Sequence, residues 1–251
     1  LFFRHFINFF IIKYFGDIMV IIDAGHGGWD PGGGTNAYFK EKDMTKKISD
    51  YQKMRFDELG IPAKRTRIDD ETLNPAERVN RVTNLGAKVS DILISNHINN
   101  AGSGGGEVIY SLKSKNTLPN MIGNSLQAAG LPIRSVYQRI GKNGNDFYFI
   151  LRNTEPATSM IIEYGFANNE EDTNRLLYEW PKLAEAVVKS IAEYYGIDYK
   201  KPDFETYIVK NNDSLFKIAN KFNTNVNTIK DLNNLQNDII MPGMLLLIPN
   251  A

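Results

Sequence analysis

The 251-residue sequence contains no cysteine, which excludes disulfides, thiolate metal sites and a cysteine nucleophile. That absence suits a reducing cytosol and equally an external protein built without disulfides, so it fixes no compartment. An excess of one charge is also missing. Twenty-nine basic and 29 acidic residues give a formal net charge of zero, and nothing directs the chain to nucleic acid or anionic lipid. The Phe- and Ile-rich opening, "LFFRHFINFFIIKYFGDI", is too short for a membrane span and is broken by Arg4, His5 and Lys13. No small-residue cleavage site follows it, so it does not read as a signal peptide. Because Met19 directly precedes the first apolar strand, residues 1–18 are expected to be upstream-translated sequence, with the natural start at Met19; an interfacial anchor is the alternative. Histidine is scarce, at three residues.

What is present reads as an ordinary globular chain, 42% hydrophobic and 23% charged, long enough for a medium domain and a small module. "MVII" reads as a buried strand running into the tight loop "DAGHGG". Helical spacing from Lys42 to Leu59 predicts a helix stopped by Gly60. "IPAKRTR" reads as a second strand, and "NPAERVNRVTNLG" as a helix with Asn74 as N-cap, Pro75 in the first turn and Gly86 at the end. "DILISNH" predicts a third strand, followed by "GEVIYS", a helix in "LPNMIGNSLQAAG" and a loop-rich stretch to Asn153. A strand "SMIIEYGF" and one long helix from about Glu171 to Tyr195 complete this part. Alternating strands and helices predict an α/β fold, with a mainly parallel twisted sheet flanked by helices. Functional loops belong at the carboxyl ends of such strands, and His26, His97 and Glu163 all fall there. After Gly196 the polar stretch "IDYKKPDFE" reads as a linker over 197–205. Residues 206–250 read as a separate βααβ module, and 19–196 as the main domain.

His26 and His97 each follow an apolar strand in a loop of small or amide residues. Two imidazoles at equivalent strand ends suit a Zn²⁺ site with three protein ligands and an open position, the third ligand being a carboxylate. Glu41 leads for that role, although it also suits the start of a helix as a simple charge; Asp23, Asp30 and Asp43 compete locally. Glu163 sits within "MIIEYGF", where a charge is costly unless paired or functional, so it is either a buried ion-pair partner or a working carboxylate.

The segments "IIDAGHGGWDPGG", "KEKD", "KRTRIDDETLNPAERVNRVTNLGAKVSDILISNHINNAGS" and "MIIEYGFANNEED" resemble, in order, those of the zinc-dependent N-acetylmuramoyl-L-alanine amidases. The resemblance implies zinc held by His26, Glu41 and His97, with Glu163 as the catalytic carboxylate. Water activated by zinc would attack the amide between N-acetylmuramic acid and L-Ala of the peptidoglycan stem peptide, and Glu163 would carry the proton to the departing amine. Arg67, Arg78 and Asn99 are expected to support the fold or touch the stem peptide. The chain departs from the family pattern at Asn96 and Ile98, where Ile and Ala are common around the histidine, and at Tyr164, where Thr is frequent. Asn96 and Ile98 are expected to alter the cleft lining.

Residues 206–249, with "YIVKNNDSLFKIANKF", "IKDLNNL" and "IMPGMLLLIP", resemble a LysM domain. Asn212-Asp213-Ser214 stands where Gly-Asp-Thr is usual. Asn tolerates the left-handed backbone of such a turn, and Ser214 can cap the following helix. The resemblance implies binding to N-acetylglucosamine-containing glycan, with Asn212, Asp213, Ser214 and Leu215 and the loop before the last strand as contact candidates. Tethering to peptidoglycan would raise local substrate concentration. The expected partner is thus bacterial peptidoglycan, with no nucleic acid or membrane. The expected setting is an enzyme made in the cytoplasm and freed by lysis, as an endolysin is, with secretion as the alternative. Two other functions compete: a zinc endopeptidase of the wall cross-links, and a non-catalytic wall-binding protein.

Overall fold

The computed structural model describes residues 18–233 and 235–250. The expectation for residues 1–18 therefore concerns a segment that lies, up to residue 17, outside the described residues. Strand β1 (Val20–Ala24) is buried along its whole length, as its unbroken apolar run requires of a strand covered on both faces. It joins β2 (Ala63–Arg65), β3 (Ile92–Asn99), β4 (Gly106–Tyr110), β5 (Ile133–Tyr137) and β6 (Thr158–Phe166) in one sheet of order β2-β1-β3-β6-β4-β5. The first four strands of that order run parallel, β4 runs antiparallel to β6, and β5 follows β4.

Side-chain alternation divides the sheet into two faces. On one, Val20, Ile22, Ile94, Met160 and Ile162 pack with the helices α1 (Glu41–Glu58), α3 (Thr117–Ala128) and α6 (Trp180–Tyr194). Leaving any of their larger side chains in water would cost about 1.5–3 kcal/mol. On the other face, Ile21, Leu93, Ile109 and Ile161 form a smaller cluster with α2 (Pro75–Asn84) and the short α4 (Phe149–Arg152). His97 shares the parity of Leu93, and Glu163 that of Ile161, so both stand on this thinly covered face where the parallel strands end.

Asn74 caps α2 as expected: it accepts from the backbone of Glu77, whose carboxylate accepts in turn from the Asn74 N–H. Two expectations need correction. The single helix of 171–195 is two, α5 (Glu170–Tyr178) and α6, separated at Glu179. Pro181 has no N–H to continue the first helix and suits the opening turn of a second. The loop-rich stretch before Asn153 contains β5 and α4; β5 is an edge strand of mostly half-buried residues, and it lacks the alternation that marks a strand in sequence.

The C-terminal module is β7 (Phe204–Ile208), α7 (Leu215–Lys221), α8 (Val226–Leu232) and β8 (Leu245–Pro249), with β7 and β8 antiparallel. Leu215, Ile218, Ile229, Leu246 and Ile248 fill its core. Phe204 and Ile208 instead join the large cluster of the main sheet. The polar stretch before β7 is also tied down. Arg55 Nη2 donates to the Lys200 carbonyl at 2.8 Å, and the Tyr199 hydroxyl to Glu185 Oε1 at 2.7 Å. The same Glu185 accepts from Tyr51 and Arg55.

Candidate metal centre and active-site cleft

The loop after β1 turns on His26 itself, whose backbone takes the left-handed φ of 60°, a conformation costly for a residue with a Cβ. The neighbourhood enforces it. Arg78 Nη2 donates to the His26 carbonyl at 2.8 Å, and Arg78 Nη1 to the Ala24 carbonyl at 2.7 Å. Arg78 in turn pairs with Asp23 at 2.7 Å. Although burial alone would raise it, the Asp23 carboxyl is held below its ordinary value by Arg78, Ser95 and Thr66.

His26 Nδ1 lies 2.7 Å from Asp30 Oδ2. With Nδ1 directed at Asp30, Nε2 faces Glu41, whose Oε1 is 3.2 Å away. Glu41 opens α1 and is buried. Its Oε1 accepts from the Ile98 N–H at 2.9 Å and faces His97 Nδ1 at 3.1 Å, while Oε2 accepts from the Gly34 N–H at 2.7 Å. The two imidazoles stand edge to face, with ring centroids 5.0 Å apart. Backbone approaches this close need glycine: a Cβ on Gly25 would lie 2.4 Å from the His97 ring, and one on Gly32 2.4 Å from Glu41 Oε2.

One ligand atom from each of His26, Glu41 and His97 lies within 4.8 Å of the others. Two imidazole nitrogens and a carboxylate oxygen on rigid supports are the donor set of a divalent metal with open positions. The charges agree. Against the burial that would lower it, Glu41 and Asp30 raise the His26 imidazole to about 9. Against the burial that would raise it, the two imidazoles hold Glu41 far below the carboxylate range. The cluster therefore favours positive charge at its centre.

Glu163 is the register partner of His97 across the β3–β6 ladder. It is buried, and among the described residues its Oε2 has no hydrogen-bond partner. Burial pushes its carboxyl up to about 7. A cleft of about 180 Å³ is lined by His26, His97 and Glu163 together with Leu73, Pro75, Tyr148 and Phe149. Trp29 stands exposed on the loop that carries His26.

The remaining sequence candidates divide. Arg67, 1% exposed, spends its guanidinium on the carbonyls of Lys42 at 2.7 Å and Asp69 at 3.1 Å; with Arg78 it holds the loops behind the cluster. Asn99 donates to Glu107 Oε2 at 3.3 Å, beside the site. Asn96 needs correction: it lies on the opposite face of β3 from His97, fully buried, and lines no cleft. Its Nδ2 donates to Gln52 Oε1 at 2.8 Å and to Ser49 Oγ at 3.0 Å, while Asn96 Oδ1 accepts from the Tyr164 hydroxyl at 3.0 Å. Gln52 Nε2 closes the ring by donating to Tyr164 at 3.0 Å. Ile98 is likewise turned into the large core, and only its backbone N–H serves the site.

In the module, Asn212 takes a φ of 67° and is exposed. Asp213 Oδ2 accepts from Lys210 N and from the Tyr207 hydroxyl, Ser214 caps α7, and Leu215 is buried in the module core. Sequence reasoning missed Asp30 as the group that orients His26, though its position four residues on was a usable signal. It also missed Glu107, which stands opposite Glu163 across the β4–β6 ladder.

Comparison with known proteins gives a consistent result. Residues 20–193 match the family model described as N-acetylmuramoyl-L-alanine amidase, and residues 207–249 match the LysM domain model. The chain is similar to the uncharacterized protein YqiI of Bacillus subtilis, at 31% identity over 180 residues covering 70% of this chain and 84% of that one. It is also similar to the probable cell wall amidase LytH of Staphylococcus aureus, at 25% identity over 181 residues covering 70% of this chain and 58% of LytH; it thus spans less than two thirds of that relative. In fold it resembles the catalytic domain of CwlV, an N-acetylmuramoyl-L-alanine amidase from Bacillus (Paenibacillus) polymyxa var. colistinus. The TM-score is 0.62 at 24% identity, over 72% of this chain and 99% of that one.

Proposed function

Given that the chain belongs to the N-acetylmuramoyl-L-alanine amidase family and carries a LysM domain, we propose that it cleaves the bond between N-acetylmuramic acid and L-Ala of the stem peptide. It is a peptidoglycan amidase anchored to its substrate by the LysM domain. Among the described residues no helix is long and apolar enough to cross a membrane, and the place of action is the wall. The observation that carries the finer reading is the convergence of His26, Glu41 and His97 beside the unpartnered Oε2 of Glu163.

His26 through Nε2, His97 through Nδ1 and Glu41 through Oε1 would hold the metal, and this nitrogen and oxygen set suits zinc. When bound, zinc supplies Lewis acidity, making water nucleophilic near neutral pH and polarising the scissile carbonyl. Glu163 Oε2 takes the proton of the attacking water and passes it to the nitrogen of L-Ala as the C–N bond breaks. Burial holds the Glu163 carboxyl above the ordinary carboxylate range, which suits a group that must both accept and release a proton. Asp30 keeps His26 in the tautomer that leaves Nε2 free, and the Gly34 and Ile98 N–H groups hold Glu41 in place. Tyr148 and Phe149 form an apolar wall that displaces water from the bound amide. The LysM domain holds N-acetylglucosamine-containing glycan, with the exposed turn at Asn212 as part of its binding edge.

Mass analysis of purified walls digested by the full chain tests this reading. Free stem peptides beginning with L-Ala are expected. New amino termini within the cross-links would instead make the protein an endopeptidase, and an unchanged wall would make it a binding protein.

A further inference from the structure

Where the LysM module meets the main domain there is a second groove, of about 300 Å³, larger than the catalytic cleft and unused by the mechanism. The module lines it with Lys210, Asn211 and Pro242, and the main domain with Tyr38, Lys47 and Tyr178. The module residues belong to its two neighbouring loops, which backbone bonds join: Gly243 N donates to Val209 O at 2.8 Å, and Val209 N to Met244 O at 2.9 Å. The edge of the module that the sequence nominates for glycan therefore opens partly onto the catalytic domain.

The main-domain wall has the character of a carbohydrate platform. Tyr38 is 73% exposed and Tyr178 48%, so both rings leave surface free at the groove for a ligand to cover. Pyranose rings present a flat C–H face that packs on such rings, while their hydroxyl and acetamido groups find amides such as Asn211. The Lys210 ammonium lies 5.8 Å from the centre of the Tyr178 ring, which ties the two walls together. Two lysines and, among the described residues, no carboxylate line the groove, a charge suited to a glycan bearing stem peptides with free carboxylates.

The groove is also coupled to the active site through one segment. Asn36 Nδ2 donates to the Ala167 carbonyl at 2.9 Å, and Asn36 Oδ1 accepts from Tyr38 N at 2.8 Å, so the loop that presents Tyr38 is fixed. Gly34 of the same loop donates to Glu41 Oε2. One wall of this loop faces the metal cluster and the other faces the groove.

We propose that this groove is a composite glycan subsite, in which Tyr38 and Tyr178 of the catalytic domain extend the LysM binding edge. The inference rests on the reading of the module as a glycan binder. The LysM domain is then part of the substrate site, and not only a tether.

The test is calorimetric binding of an N-acetylglucosamine hexamer to the full-length chain, a probe with no amide for the enzyme to cleave between sugar and peptide. Tyr38→Ala and Tyr178→Ala should each weaken binding about threefold and the double variant about tenfold. Tyr178→Phe, which keeps the ring, should bind as the wild type does. Thermal unfolding of each variant separates lost stacking from lost fold, and both side chains are exposed enough for folding to survive. Wild-type affinity in the alanine variants would overturn the inference while leaving the LysM reading intact. A Tyr178→Phe loss as large as that of Tyr178→Ala would overturn the stacking role. Failure of the wild-type chain to bind the hexamer would overturn both the subsite and the glycan-binding module, whatever its amidase activity.

Discussion

Among the described residues, four other than glycine take a left-handed angle, and two of them, His26 at a φ of 60° and Asn212 at 67°, reach it by different means. Around His26 the chain is over-determined. Arg78 grips its carbonyl, Asp30 its Nδ1, and Glu41 faces its Nε2. Around Asn212 the turn holds itself: Lys217 Nζ donates to the Asn212 carbonyl, and Asp213 accepts from Lys210 N. The same backbone state is a cost met by surrounding structure in one place and an adaptation of residue type in the other. Strain at His26 buys the direction of an imidazole; at Asn212 the residue was chosen because it tolerates the angle.

The comparison is broken most completely by removing metal. Chelation should abolish wall hydrolysis and leave wall binding by the same chain intact, measured by turbidity clearing and by co-sedimentation. If binding falls too, the two regions are not energetically separate. Glu163→Gln should lower turnover by about 10²- to 10⁴-fold with metal content unchanged by elemental analysis; turnover near the wild-type level would remove Glu163 as the proton carrier. Asp30→Ala should weaken metal affinity by about 10- to 100-fold, read by titration against a competing chelator, because His26 loses the group that sets its tautomer. The smallest effect is expected at the other turn. Asn212→Gly should change stability by no more than about 1 kcal/mol, whereas His26→Gly, equally relaxed in backbone, should lose the metal.

Much of the candidate site was legible in the sequence because its residues violate local rules. A histidine after each of two buried strands and a glutamate inside an apolar one are conspicuous, and parallel-strand ends are where such residues meet. The groups that hold them were less visible. Asp23 and Arg78 pair across 55 residues, a separation at which no spacing rule operates. Asp30 was noticed only as a rival ligand, since its contact with His26 Nδ1 is a matter of loop geometry that spacing does not show. The strand at Ile133–Tyr137 escaped because an edge strand need bury only part of its surface. The break at Glu179 was readable in Pro181, but the apolar periodicity on both sides of it imitates one helix.

The buried ring of Asn96, Gln52 and Tyr164 has a consequence for anyone exchanging parts between this enzyme and its relatives. Asn96 precedes His97, Tyr164 follows Glu163, and Gln52 lies on the helix that Glu41 opens, so the ring is the reverse side of the proposed site. It fastens the three carriers of the site to one another from behind. Asn96 and Tyr164 are separate departures from the family pattern in sequence, yet in space they form one joint. Installing the commoner isoleucine at 96 alone would keep the Gln52–Tyr164 bond but take from the Tyr164 hydroxyl its acceptor and from Gln52 Oε1 its donor, at a cost of about 1–3 kcal/mol for each buried group left short of a partner. The parts of this joint are interchangeable only as a set, and a graft that respects every proposed site residue can still fail on the opposite side of the sheet.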